Sequence, residues 1–168
     1  DFPDGARLVE CDTVDKRLVV VAAGKRQELN FDYTSEGAHL MGLAAAPDGT
    51  ICGGTAFPMR FFRYDPRADE WKNRASLNQW NTVRVHGERF FVGGYTGGFL
   101  LEWDPAQPWV DTTTDGGDGQ NPRWWTQTAP AINRPHCLQV TADGRHVLLG
   151  GTPGYGYTGG GLLIWDRQ

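Results

Sequence analysis

The chain has 168 residues and a formal net charge of −4, with its charges scattered and no basic run. That excludes the electrostatic footprint of a nucleic-acid binder. With 23 Gly, 10 Pro and 7 Trp, it fits an all-β fold with tight turns better than a helical one. No apolar run approaches the ~20 residues of a membrane-spanning helix, so no membrane partner is expected.

In chain order, RLVECD, RLVVVAAG and QELNFDY within residues 1–34 read as three strands. Three longer segments then align with one another. They run from His39 to Asp65, from Gln79 to Asp104 and from His136 to Asp166. Each holds an apolar strand, a turn ending in Gly, a strand ending in Gly-Gly, a variable loop, and a strand ending in an aromatic and Asp. The Gly pairs are Gly53-Gly54, Gly93-Gly94 and Gly150-Gly151; the closing pairs are Tyr64-Asp65, Trp103-Asp104 and Trp165-Asp166.

Asp48-Gly49 and Asp143-Gly144 are hairpin signals, because Gly tolerates φ > 0. Gly-Gly inside a strand suits close approach of a neighbouring backbone. The aromatic before each Asp suits packing between sheets, and the Asp suits capping of the turn that follows. Residues 106–133 interrupt the spacing. Their acidic, Gly-rich part lacks the ligand spacing and closing Glu of a calcium loop, so a flexible solvent loop is expected, with Trp124-Trp125 forming an outer strand or covering the edge.

A period near ~40 residues with several strands per unit is the signature of β-propeller blades. The predicted fold is an all-β propeller segment of about three to four blades of four antiparallel strands. It divides into a partial blade over 1–34, a blade over 39–78, a blade over 79–133 carrying the insertion, and a partial blade over 134–168. The first blade lacks its inner strand and the last its outer one. The expectation is an open slice of a larger ring, closed by remaining blades or by a second chain.

Apolar strand, PDG, GG[TY], loop and aromatic-Asp-Pro, followed by Trp71 after RADE, resemble the kelch, YncE-like and streptogramin-lyase-like propellers. The WD40 signature fits less well, because no Gly-His dipeptide opens a blade. The stretches GGTAFPMRFFRYDP, QWNTV, NRPH and GGTPGYGYTGGGLLIWD resemble propeller polysaccharide lyases that cleave uronate-containing polymers. That resemblance implies His, Tyr and Arg at one face of the ring, an anionic polysaccharide as partner, and an extracellular or periplasmic location.

Counting back fourteen residues from the first Gly of each pair reaches His39, Gln79 and His136, expected at matching starts of the innermost strands. Trp80, Asn81, Asn133 and Arg134 are neighbours. The loops between second and third strands add Phe57, Met59, Arg60, Tyr95, Thr96, Tyr155 and Tyr157. Trp and Tyr stack on sugar faces, Arg grips a carboxylate with two hydrogen bonds, and His transfers protons near neutral pH. The candidate catalytic set is therefore His39, His136, Tyr95, Tyr157 and Arg60. The candidate binding set is Arg134, Trp80, Asn81, Gln79, Tyr155 and Phe57.

Each of these residues also has an ordinary structural role open to it. The alternative function is a non-catalytic propeller module that binds protein or glycan; a quinone-dependent oxidoreductase is a weaker third. No cofactor and no metal are expected. Two His do not make a zinc site, and His86 and His146 fall at turns of the opposite face. Cys11, Cys52 and Cys137 match no metal or disulfide pattern and are expected as buried free thiols on strands.

Overall fold

A computed structural model describes residues 2–12, 17–32, 39–57, 59–114 and 116–168. The described residues hold fourteen strands and no helix, so none is long and apolar enough to cross a membrane as a helix. All strands pair antiparallel within four sheets of three or four strands. The chain divides into two compact units, Asp1–Gly37 and Ala38–Gln168.

The first unit is a single sheet in the order β1 (Arg7–Asp12), β2 (Arg17–Ala22), β3 (Lys25–Asn30). Ala23 and Gly24, both with positive φ, make the two-residue turn between β2 and β3, which suits the right-handed twist of a hairpin. Arg17 pairs with Glu10 and lies 3.6 Å from Glu28, and Arg26 lies 3.7 Å from Glu10, so charges link all three strands. The predicted third strand reached Tyr33, which lies outside the described residues.

The second unit holds three sheets. One is β4 (His39–Ala45), β5 (Ile51–Ala56), β6 (Arg60–Asp65) and β7 (Glu70–Ala75) in sequence order. The next is β8 (Gln79–His86), β9 (Arg89–Tyr95), β10 (Phe99–Trp103) and β11 (Arg123–Gln127), also in sequence order. The last is β12 (Arg134–Val140), β13 (His146–Thr152) and β14 (Gly161–Asp166). The first strand of each sheet packs against the first strand of the next, β4 on β8 and β8 on β12.

The predicted turn chemistry is present. Asp48 and Asp143 each accept a backbone N–H at 3.0 Å from the residue two places on. Asp65, Asp104 and Asp166 do the same at 2.9, 3.0 and 3.1 Å. The core between the first two sheets is aromatic. Phe61 lies 5.1 Å from the Trp80 ring and 5.0 Å from Trp103. Between the second and third sheets Phe91 and Leu100 meet Leu138, Val147 and Leu149, and Trp165 lies 5.7 Å from Trp125. The glycines are small where a neighbouring sheet comes close. A Cβ on Gly54 would sit 2.3 Å from Trp80 Cβ, and one on Gly93 would sit 2.4 Å from Leu149 Cδ1.

Two expectations need correction. The insertion is not a free solvent loop along its length, although Asp115 lies outside the described residues. Trp109 stacks on Phe61 at 4.6 Å, and Val110 bridges Asn121. The Asn121 amide donates to the carbonyls of Asp104, Gln107 and Pro108, and its Oδ1 accepts the Asp104 N–H. An apolar ring with a core to enter and a side chain that satisfies otherwise unpaired backbone groups hold both ends down. Arg123–Gln127 then forms the outer strand. The cysteines are free and lie on strands, but only Cys52 is buried; Cys11 and Cys137 are exposed.

Candidate functional site

Strand pairing corrects the fixed count of fourteen residues. Each inner strand of the second unit carries one bulge, at Met41, Asn81 and His136. Gly54, Gly93 and Gly150 are the matching glycines, paired with Phe61, Leu100 and Leu162. Two places before the bulges stand His39, Gln79 and Arg134, which face Ala56, Tyr95 and Thr152. His136 therefore matches Asn81, not His39. The count drifted because the hairpin turns differ in length. Gly87-Glu88 alone joins β8 to β9, whereas Thr141 to Arg145 separate β12 from β13.

Tyr95, Arg134 and Tyr155 come together. The Arg134 guanidinium lies over the Tyr95 ring, 4.8 Å from its centroid. The Tyr95 and Tyr155 hydroxyls are 3.4 Å apart. The Tyr155 hydroxyl, and then the Arg134 charge and hydrogen bond, hold the Tyr95 phenol below its ordinary pKa against the opposing effect of desolvation. The same hydrogen bond, with the charge of Tyr95, raises Tyr155. One member of the pair is thus biased toward losing its proton and the other toward keeping it.

The loops that carry these groups are pinned at their bases. Gly97 N–H donates to Asn133 Oδ1 at 2.8 Å, Thr128 Oγ1 donates to the Gly98 carbonyl at 2.7 Å, and Asn78 Nδ2 donates to Thr96 Oγ1 at 3.0 Å. Asn133 N–H donates to the Thr152 carbonyl, and Gly154 N–H to that of Pro130. The tip beyond stays open: Tyr155 is 82% exposed and Tyr157 62%. His136 is exposed, with Nε2 3.2 Å from Thr152 Oγ1, beside the Tyr95 cluster because Thr152 pairs with Arg134.

The other predicted residues are placed differently. Trp80 is only 1% exposed and fills the core between two sheets, so its ring offers no platform to a sugar. Apolar burial of a large ring against Phe61 decides this position. Gln79 is buried behind Tyr95. Asn81 Oδ1 is buried and accepts no hydrogen bond among the described residues. His39, Phe57 and Arg60 belong to the preceding sheet. His39 is exposed at the start of β4, Phe57 is 68% exposed beyond β5, and Arg60 begins β6 with its N–H donating to Thr55 Oγ1 at 3.2 Å.

The sequence reading missed a concavity on the insertion side. It is a cavity of about 430 Å³ lined by Arg89, Glu102, Asp104, Asn121, Arg123 and Trp125 among others. Its polar groups largely serve one another. Glu102 takes Arg167 at 2.6 Å and Trp125 Nε1 at 3.0 Å and lies 3.4 Å from Arg89, while Arg123 stacks on Trp125. The signal was present in the alternation of Glu102, Asp104 and Arg123 around the insertion, which a loop reading passes over. Among the described residues no group of three His, Cys, Asp or Glu is placed to hold a metal ion. No protein-family model and no curated protein matches the chain.

Proposed function

We propose that the second unit is a run of propeller blades carrying a carbohydrate-active site, and that it cleaves a uronate-containing polymer by β-elimination. The side-by-side packing of β4, β8 and β12 and the close contacts at Gly54 and Gly93 support the blade reading. The Tyr95–Tyr155–Arg134 cluster carries the functional one.

β-Elimination needs three provisions: a cation on the uronate carboxylate, a base for the C5 proton, and an acid for the leaving oxygen. Arg134 supplies the cation. Tyr95, as the phenolate that the Tyr155 hydrogen bond and the Arg134 charge favour, takes the C5 proton. The C5–H electron pair then forms the C4–C5 double bond as the C4–O bond breaks. The leaving oxygen takes a proton from Tyr155 or His136. Opposite shifts on two neighbouring groups are how a site assigns acid and base.

The test is incubation of the purified full chain with a panel of uronate polymers, reading the ultraviolet absorbance of the unsaturated product. The reading expects absorbance that Tyr95→Phe abolishes and Arg134→Lys weakens through KM. A second reading rests on the exposed rings of Tyr155 and Tyr157, which can stack on a glycan without reacting with it. Glycan binding without absorbance selects that reading. Neither binding nor absorbance refutes both.

A further inference from the structure

The cavity on the insertion side carries one cation that its own carboxylates do not take up. Arg89 lies 3.4 Å from Glu102 and 3.0 Å from Asp104. Arg167 brings a second guanidinium to Glu102 at 2.6 Å. Arg123 stands directly opposite Glu102 in the strand register, yet among the described residues it forms no ion pair. Its guanidinium lies instead over the Trp125 ring, 3.9 Å from the centroid. Trp125 is held in turn, because its Nε1 donates to Glu102 at 3.0 Å and its ring lies 5.7 Å from Trp165. A guanidinium laid on a ring that is itself held has its forked donors set in one plane before any ligand arrives.

The rest of the wall narrows what can bind. The cavity is about 430 Å³, within the range of roughly 300–1,000 Å³ that small-molecule sites occupy. One surplus cation calls for one carboxylate. A more highly charged anion would meet Glu102 and Asp104 on the same wall. The side-chain amide of Gln107, which also lines the cavity, makes no hydrogen bond among the described residues. Asp104 keeps acceptor capacity beyond the Ala106 N–H and Arg89. An acid with an apolar body would cover such groups without pairing them, at a cost. Hydroxyl groups pair them.

We propose that this cavity binds a sugar acid, with its carboxylate in the fork of Arg123 and its hydroxyls on Gln107 and Asp104. The site is separate from the Tyr95 cluster. β10 begins at Phe99, which pairs with Gly94 beside Tyr95, and ends at Trp103, next to the cavity. The inference rests on the cavity's own residues and does not require the elimination proposed at Tyr95.

The test is a titration of the isotope-labelled full chain with D-glucuronate, followed by NMR at the Trp125 indole N–H. A saturable shift of that resonance is expected. Arg123→Gln should weaken binding roughly 10-fold or more, as for loss of a charge-assisted hydrogen bond, and Arg123→Lys should weaken it less. Arg123 is exposed and outside any ion pair, so the fold should survive, which unchanged resonances away from the cavity check. D-Glucose has the hydroxyls without the carboxylate and benzoate the carboxylate without the hydroxyls; each should bind more weakly than glucuronate. An oligouronate that binds more tightly than the monosaccharide identifies a polymer as the source of the acid, and one that binds less tightly identifies a free sugar acid. The proposal is overturned by no saturable shift at Trp125, by glucose or benzoate binding as well as glucuronate, or by Arg123→Gln binding as well as wild type. The ultraviolet product assay reads the other site. Product without glucuronate binding at Trp125 overturns this inference alone, and binding without product overturns the lyase reading alone.

Discussion

Gly54→Ala puts the packing between the first two sheets of the second unit under direct test. The new methyl would lie 2.3 Å from Trp80 Cβ, 2.9 Å from its Cγ and 3.3 Å from its Cα. A Cβ is fixed by the backbone, so no rotamer of Trp80 moves the first of these atoms away. Ordinary contact begins at 3.4 Å, so the two sheets must part by roughly 1 Å, loosening Phe61 from Trp80 and Trp103. Overpacking of this kind costs ~1–3 kcal/mol and occasionally more; with backbone on one side of the clash the upper end, about 3 kcal/mol, is expected. At this chain length that corresponds to a fall in Tm of roughly 6–12 °C. Gly154→Ala is the control, because its Cβ would meet only Tyr157 and Pro130 atoms at 3.7 and 3.8 Å, and its effect should stay within about 1 kcal/mol. The assay is urea unfolding followed by Trp fluorescence, with both variants compared at equal slope. Gly54→Ala within 1 kcal/mol of Gly154→Ala would refute the claim that Gly54 is required by the approach of Trp80.

Three further outcomes follow from the same geometry. Hydrogen bonds from Arg145, and then from the Gln168 N–H, hold Asp166 down to about 2 from an ordinary 3.8. Its contribution to stability is therefore complete above the unfolded value and lost as pH falls toward about 2; carboxyl titration by NMR in wild type and Arg145→Gln checks it, and an ordinary Asp166 pKa in both sinks it. Burial raises the Cys52 thiol to about 11, with Thr50 opposing, so a thiol reagent at neutral pH should label Cys11 and Cys137 in the folded chain and reach Cys52 only in denaturant, as mass spectrometry will show. Glu102→Ala removes the shared acceptor of Arg167, Arg89 and Trp125; Arg89 keeps Asp104 at 3.0 Å, but Arg167 loses its carboxylate, so a loss of about 1–3 kcal/mol in urea unfolding is expected, and a neutral result contradicts the reading of Glu102 as the hub of that network.

Much of the strand layout was legible in the sequence because it rests on local rules. A Gly that accepts positive φ and an Asp that caps its own turn work within a few residues, so DG turns and aromatic-Asp ends mark strand boundaries wherever they occur. Gly49 and Gly144 do take positive φ. Long-range terms were less legible. Whether Trp109 enters a core depends on Phe61, far away in sequence, and on the space that Trp80 and Trp103 leave beside it. No local signal in the Gly-rich insertion announces that.

The candidate site shows where reading a repeat by counting loses its hold. Counting treats every hairpin as equal, but one bulge per inner strand and turns of unequal length shift the register, and a shift of one residue exchanges the two faces of a strand. Unequal turns are how His136 was aligned with His39 when Arg134 holds that place. Trp80 has a different cause: it follows the correctly matched Gln79, and strand neighbours point to opposite faces, so its ring lies in the core. The change bears on chemistry. A permanently charged guanidinium now stands at the strand start opposite Thr152, against the face of Tyr95. With Tyr95 as base and Tyr155 as acid, the pH dependence of the proposed elimination should follow that pair on the alkaline side. A pair of histidines would instead place it near neutrality.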